Sequence, residues 1–370
     1  MKKINKLFFL VIIIVLISCP TDDQKSNNEI IEKYPSAIII AGVESNGINN
    51  IIKIWKSVNG GITWTTEEIT DGTYNTGIYG LVKVNSILYL LGSEYNGVEY
   101  VRKIWKSIDF GINWTVNLVN SDKWWSNSVF FTDGKDLYLS ARLSESGDTR
   151  NGDNIWKSLD EGENWSLITN ERIGGGAVVT NGSTIYAVGN KKVYKSIDGA
   201  NTWSSSATLT NMTQTFPGGI FVDGSNIYVV GSDYSAPSGC GVRVWISTDN
   251  GENWDTKILS NENLYAFPGD VFLHNSIIFI SGDAYDEVEE KSLAFGWESR
   301  NNGITWIENE NYLRSYAKYG SLLYVLGVEL IGEKWNTKFW KSSNNGETWI
   351  KYVISDGLNE VSFINIIIIE

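Results

Sequence analysis

The chain has 370 residues, 42% hydrophobic and 13% aromatic, with 36 glycines, 5 prolines and a formal charge of -13. That is apolar material enough for a large core, while a surface this acidic repels a phosphate backbone and excludes nucleic acid as a partner. Two cysteines, Cys19 and Cys240, and a single histidine, His274, supply too few ligands for a zinc centre, and no cofactor is expected.

The first segment reads as an export signal. Three lysines fall within Met1–Lys6, and Leu7–Ile17 is an apolar run of eleven residues. The run is too short to span a bilayer and has the length of a signal-peptide core. It ends in Leu16-Ile17-Ser18-Cys19, which resembles the bacterial lipobox. The resemblance implies that residues 1–18 are a lipoprotein signal peptide and that Cys19 carries diacylglycerol; an uncleaved anchor helix is the alternative. Residues 19–35 then form the lipidated cysteine and a polar tether, too poor in apolar surface to fold. Pro20 stands where an inner-membrane retention signal would place aspartate. The expected location is a lipid anchor in the bacterial cell envelope, on an unspecified face. With Cys19 acylated, Cys240 has no partner for a disulfide.

From residue 36 onward one pattern recurs seven times: Ser57–Trp64, Ser107–Trp114, Ser158–Trp165, Ser196–Trp203, Ser247–Trp254, Ser299–Trp306 and Ser342–Trp349. The serines step by 50, 51, 38, 51, 52 and 43 residues. A short polar residue at the third position can close a turn on backbone N–H groups, and glycine at the fifth admits a positive φ. Asn59, Asn301 and Asn344 replace aspartate at the third position, and Ala200 replaces glycine at the fifth. The pattern resembles the Asp box, Ser-x-Asp-x-Gly-x-Thr-Trp, of sialidase-like propellers. Each copy lies between strand-like runs, and upstream of it sits another hairpin, such as Gly219–Val222, a turn at Asp223–Asn226, and Ile227–Gly231. Four short strands per unit describe a propeller blade. Residues 36–370 are therefore expected to form one all-β, seven-bladed propeller of four-stranded antiparallel blades. Ala37–Ile40 aligns with a second strand, and Val361–Ile364 aligns with the missing first one, so the C-terminal strand should close the first blade. Ile366–Ile369 has no clear place in this scheme.

In such a ring the Ser-led turns occupy one face. Loops joining second to third strands, and each blade to the next, occupy the other. Of sixteen tryptophans, seven end the Ser-led turns and six sit two residues before their serines, with Tyr194 in the seventh copy. Trp124, Trp125 and Trp335 remain, all in loops assigned to the opposite face, with Tyr74, Tyr95, Phe216, Tyr234, Tyr265, Phe267, Tyr285 and Tyr312. Rings gathered there suit a sugar or a protein hot spot. Arg142, Arg150, Arg172, Arg243 and Arg314 fall in the same predicted loops, where they could hold an anion. The candidate ligand-binding set is Trp124, Trp125, Trp335, Tyr74, Tyr265, Tyr312, Arg142 and Arg243.

Resemblance to sialidases implies a carboxylate-binding arginine cluster and a tyrosine nucleophile, yet the Phe/Tyr-Arg-Ile-Pro motif of those enzymes is absent and Ile30–Gly61 holds no arginine. Polysaccharide-cleaving relatives use two carboxylates across a groove. Glu94, Glu99, Asp148, Asp153, Asp283, Asp286, Glu287, Glu289 and Glu290 are available in loops. Cys240, in a predicted loop, and His274, in or beside a hairpin turn, are too far apart in sequence to suggest a nucleophile pair. No convincing catalytic constellation emerges. Single propellers resembling photosystem assembly factors act as docking platforms. The expected function is thus a monomeric, membrane-tethered, non-catalytic platform for a glycan or protein, with a glycoside hydrolase as the alternative.

Overall fold

The computed structural model describes residues 34–119, 125–143, 154–168, 173, 177–189, 191–209, 214–236, 239–259, 265–274, 276–286, 291–309, 312–331, 334–344, 346–354 and 361–370, with the side chains of some strand-end residues outside it. Cys19, Trp124, Asp148, Arg150, Asp153, Arg172, Glu287, Glu289 and Glu290 lie outside the described residues.

The chain folds into seven four-stranded antiparallel blades, numbered here in chain order. Blade 1 is Val361–Ile369, Ala37–Ser45, Asn50–Ser57 and Thr65–Glu68. Blade 2 is Thr76–Val84, Ile87–Tyr95, Tyr100–Ser107 and Thr115–Leu118; blade 3 is Trp125–Thr132, Leu137–Leu143, Asn154–Ser158 and Ser166–Leu167. Blade 4 is Val178–Asn181, Thr184–Gly189, Lys192–Ser196 and Ser204–Ser205. Blade 5 is Gln214–Asp223, Asn226–Ala236, Gly239–Ser247 and Asp255–Ile258. Blade 6 is Tyr265–His274, Ile277–Asp286, Lys291–Ser299 and Ile307–Asn309; blade 7 is Tyr312–Tyr319, Leu322–Ile331, Lys334–Ser342 and Ile350–Val353. A single parallel bridge, Cys240 to Tyr265, joins blades 5 and 6.

The C-terminal strand completes blade 1, and more of it takes part than the alignment indicated. The unplaced Ile366–Ile369 pairs with Ile40–Ala37, residue against residue. Asn365 locks the closure: its Nδ2 donates to the Leu81 carbonyl in blade 2 at 2.9 Å, and its Oδ1 accepts from Ser315 Oγ in blade 7 at 3.3 Å.

The core is a set of slabs between neighbouring blades. Ile39, Ile52 and Ile54 of blade 1 meet Leu81, Leu90 and Trp105 of blade 2. Tyr324 and Phe339 of blade 7 meet Ile38, Ile40 and Trp55 of blade 1. The alternation of the third strand makes this possible. In the six copies that have it, the tryptophan two residues before the serine faces the preceding blade, as Trp105 and Trp156 do, while Ile104 faces the next.

All seven Ser-led turns share one hydrogen-bond plan. The serine Oγ accepts the N–H of the fifth residue, from 2.8 Å at Gly111 to 2.9 Å at Ala200. It donates to the third-position side chain, at 2.9 Å for Asp109 and 3.0 Å for Asn59. That side chain accepts the N–H of the seventh residue, for example Asn113 and Thr63, each at 2.9 Å. Among the described residues the fourth and fifth positions adopt positive φ, as in Asn250 (60°) and Gly251 (89°). Ala200 holds φ 68° where the other copies have glycine. Asparagine at the third position preserves the plan, as its chemistry allows.

Candidate binding face

Hairpin topology puts the Ser-led turns and the first-to-second-strand turns at one end of every blade. Asn250 N–H donating to the Ser225 carbonyl at 2.9 Å ties one pair of them together. The opposite end is described most fully in blades 1 and 2.

There, two Asn-Gly hairpins repeat the same construction. Asn46 Oδ1 accepts the N–H groups of Ile48 and Asn49 at 3.0 and 2.7 Å, and Asn96 Oδ1 accepts those of Val98 and Glu99, both at 2.9 Å. Each hairpin thrusts an aliphatic side chain into solvent, Ile48 at 89% and Val98 at 84% exposure. The connector between the blades is anchored from both sides. Asn49 Nδ2 donates to the carbonyls of Gly72 and Thr73, each at 3.1 Å. Asn75 Oδ1 accepts Asn50 N–H at 2.9 Å, its Nδ2 donates to the Tyr100 hydroxyl at 3.0 Å, and its carbonyl accepts Tyr95 N–H at 2.9 Å.

This scaffold assembles three tyrosines. The Tyr74 and Tyr95 rings meet edge to face at 6.1 Å, and Tyr95 and Tyr100 lie tilted at 5.3 Å. The Tyr95 hydroxyl donates to the Gly97 carbonyl at 3.1 Å. Tyr74 and Tyr100 remain exposed. Of the candidate set, Tyr74 thus joins a built cluster. Tyr100 was missed by the sequence reading; it is the cross-strand partner of Tyr95 across the hairpin, and only the strand register exposes that pairing.

Three carboxylates at this end, those of Glu94, Glu44 and Glu68, are held in ion pairs. Glu94 is paired with Lys103. Glu44 and Glu68 share Lys53 at 2.6 and 3.1 Å. Burial pulls the Lys53 ammonium down, but hydrogen bonds and the charges of Glu44 and Glu68 outweigh it and raise its pKa. Asp71 at the start of the connector is held below the usual carboxylate range by the backbone N–H and hydroxyl of Thr73.

Other expectations need correction. Arg243 is not in a loop: it lies within the third strand of blade 5, opposite Gly231, and is 7% exposed. The same strand position holds Lys53 opposite Gly42, Lys103 opposite Gly92, Lys192 opposite Gly189 and Lys338 opposite Gly327, so Arg243 occupies a repeat position of the blade. At blade 2 the glycine opposite is steric in origin. A Cβ on Gly92 would overlap the Gly77 carbonyl oxygen and stand 3.2 Å from Trp105 Cζ3. Trp125, Tyr265 and Tyr312 open the first strands of blades 3, 6 and 7, while Arg142 and Trp335 lie in the second strand of blade 3 and the third of blade 7, all in strands instead of loops. Phe216, Tyr234, Phe267, Asp283, Tyr285, Asp286 and Arg314 likewise lie in strands. The side chains of these strand residues other than Arg243 lie outside the described residues. Cys240 is in a strand as well, at the far end of its blade from the turn that follows His274 in blade 6, so the two are not brought together. Among the described residues no group of three or more His, Cys, Asp or Glu is placed to hold a metal ion.

A lysine latch between blades also escaped the sequence reading. The residue before the serine is lysine in five copies. Lys56 Nζ donates to the Phe110 carbonyl of the next blade's turn at 3.0 Å, Lys106 pairs with Glu161 of blade 3, and Lys157 reaches the Gly199 carbonyl of blade 4 at 3.3 Å. The recurring Lys-Ser dipeptide was the available signal.

The class these features define is a seven-bladed β-propeller with an elaborated face opposite its Ser-led turns. No family model matches the chain, and no curated protein matches it. Among solved structures it is similar to YCF48 bound to a D1 peptide, with a TM-score of 0.50 at 14% identity over 87% of this chain and 94% of that one. It is also similar to a GH74 xyloglucanase from Xanthomonas campestris, with a TM-score of 0.51 at 13% identity over 89% of this chain and 55% of that one. The chain therefore spans about half the length of that enzyme. At these identities the likeness concerns the fold alone.

Proposed function

We propose that the chain is an exported, lipid-anchored Asp-box propeller that binds an extended peptide or glycan, without turning it over, on the face opposite its Ser-led turns. The observation that carries this reading is the Tyr74–Tyr95–Tyr100 cluster, pre-organised by Asn75 and flanked by solvent-exposed Ile48 and Val98. Rigid aromatic surface held by hydrogen bonds gives contact area at low entropic cost. The site extends, on this proposal, to Trp335 at the same end of blade 7, to Trp125 at the start of blade 3 and its sequence neighbour Trp124, and to Tyr265, Tyr312 and Arg142. The peptide-bound state of YCF48 offers a precedent for a propeller of similar fold holding a polypeptide. The ion pair between Glu94 and Lys103 weighs against Glu94 as a free catalytic carboxylate.

Peptide and glycan arrays probed with the full chain and with Tyr74→Ala/Tyr100→Ala test the reading. A ligand bound by the parent and lost at least about tenfold by the variant, equal to about 1.4 kcal/mol of binding, is the expected result. Equal binding by the two removes the cluster from the site. Hydrolysis of a glycoside that a single carboxylate substitution abolishes replaces the platform by an enzyme.

A further inference from the structure

The chain enters the propeller on the Ser-led turn face. The Tyr34 ring lies against the turn of blade 1, where a Cβ on Gly60 would stand 2.7 Å from its Cγ and Cε1, and Lys341 Nζ sits 4.1 Å over it from blade 7. Ala37 pairs with Ile369, so the propeller's first and last strand residues lie together at this end of blade 1.

The same face carries an arc of aliphatic side chains. The second residue of the turn is Val58, Ile108, Leu159 and Ile197 in blades 1 to 4, with exposures of 69, 72, 79 and 73%. Ile62, Ile112 and Ile304, at the sixth position of the turns of blades 1, 2 and 6, are 50, 58 and 72% exposed. The second position supplies no side-chain hydrogen bond to the turn, so the architecture does not ask for an apolar residue there. In blades 5 to 7 it is Thr248, Arg300 and Ser343. At the second position the aliphatic residues fall in four consecutive sectors, beginning at the one where the chain enters, with Ile304 of blade 6 apart from them, and exposed aliphatic side chains gathered on one face mark a contact surface.

We infer that this arc rests on a lipid bilayer, its aliphatic side chains entering the boundary between headgroups and acyl chains. The inference rests on the proposed acylation of Cys19. Fourteen residues separate Cys19 from Tyr34, a length of chain that spans about 20 Å root-mean-square as a coil and about 50 Å at full extension. A tether that short keeps the turn face within reach of the membrane and raises the effective concentration of lipid at the arc. The chain's charge of -13 gives anionic headgroups no attraction for it, so the contact is apolar and insensitive to salt. The opposite face, with Tyr74, Tyr95 and Tyr100, is thereby turned away from the membrane.

The test uses the full chain, acylated in its bacterial host, carrying Cys240→Ser and one new cysteine, and reconstituted in phosphatidylcholine vesicles. The cysteine is Ile108→Cys or Ile197→Cys on the arc, or Val98→Cys on the other face, labelled with an environment-sensitive fluorophore. Labels at 108 and 197 should shift to the blue and be quenched by a nitroxide on the acyl chains, while the label at 98 stays open to aqueous iodide. Arc labels as open to iodide as position 98, on a chain whose intact mass carries the diacylglycerol, overturn the docking and leave the anchor standing. Arc labels shielded from both quenchers assign the arc to contact with a second copy of this chain, the only protein in the vesicles, and overturn the lipid contact. A chain that lacks the acyl mass and fails to join vesicles sinks the anchor, and this inference with it.

Discussion

Glycine at the fifth position of the Ser-led turn does two separable jobs, and substituting alanine at different copies separates them. Gly61 and Gly111 share the same backbone, with φ of 89° and 82°. An alanine at either must hold a left-handed conformation, at about 1–2 kcal/mol. At Gly111 that is the whole cost, since the nearest atom to an added Cβ is Trp114 Cζ2 at 3.6 Å, an ordinary contact. At Gly61 the methyl would overlap Cε1 of Phe339 and stand 2.7 Å from its Cζ. Phe339 is fully buried, edge-on to Trp64 at 4.9 Å and stacked on Tyr324 at 5.8 Å, and has no room to withdraw. Overpacking of that kind adds about 1–3 kcal/mol. The lower chain entropy of alanine in the unfolded state offsets both by the same amount and cancels in the comparison. Gly162→Ala should fall between, because the atom it overlaps is the terminal Cδ1 of Ile104, which can swing aside. Urea unfolding gives the ranking directly, with Gly111→Ala least destabilised and Gly61→Ala most. Equal losses for Gly61→Ala and Gly111→Ala would refute the claim that packing between blades 7 and 1, and not backbone strain alone, fixes glycine there.

Hydrogen bonds from the Thr202 hydroxyl and N–H hold the Asp198 carboxyl at about 2, and the N–H and side chain of Asn113 and of Asn253 do the same for Asp109 and Asp249. A depressed carboxyl stabilises the fold above its unfolded value and loses that contribution as pH falls through the folded one. Unfolding midpoints should therefore decline from about pH 4 towards pH 2, and Asp198→Asn, which creates the Asn–Thr pairing already native to Asn59 with Thr63, should leave neutral stability intact while flattening that decline. Lys157→Met strands Asp136, which it pairs at 2.8 Å with both side chains 13% exposed, and should cost about 1–3 kcal/mol in urea unfolding; Lys106→Met, whose partner Glu161 is 55% exposed, should cost less than about 1 kcal/mol. Asn365→Leu deprives the buried Leu81 carbonyl of its donor and should lower stability by about 1–3 kcal/mol, read by thermal melting; an unchanged melt would show that closure does not depend on this side chain.

The architecture was legible because its signals are local. A serine, a short polar residue, a glycine and a tryptophan within eight residues encode one hairpin, and seven copies encode the ring. Ile366–Ile369 resisted placement because it lacks alternation: as an inner strand flanked by two blades it is buried or half-buried at every residue. Arg243 was misread for a related reason. Ser235-Ala236-Pro237-Ser238-Gly239-Cys240-Gly241 has the composition of a loop, yet the strands of blade 5 run to Ala236 and resume at Gly239. The candidate face was legible only in part because its contacts are set by register and by a connector between blades. Tyr95 and Tyr100 become neighbours through register, and Asn75 gathers backbone and hydroxyl from both blades, neither of which a linear pattern encodes.

The two ends of the blades differ in what their polar groups have left to offer. At the Ser-led end, hydrogen bonding closes on itself. Aspartate at the third position takes a donor from asparagine or threonine at the seventh, as Asp109 does from Asn113 and Asp198 from Thr202. Asparagine at the third position is always met by threonine, whose hydroxyl accepts its Nδ2, at 2.8 Å in Asn59 with Thr63 and 2.9 Å in Asn344 with Thr348. Donor and acceptor are matched within each turn, so what this end presents outward is its unconstrained second position, aliphatic in blades 1 to 4. At the other end the same economy of Asn-Gly turns builds a platform whose outward surface is tyrosine. On the two proposals above, apolar contact belongs to one face and aromatic recognition to the other, so a ligand for this propeller should be sought on the face opposite the Ser-led turns.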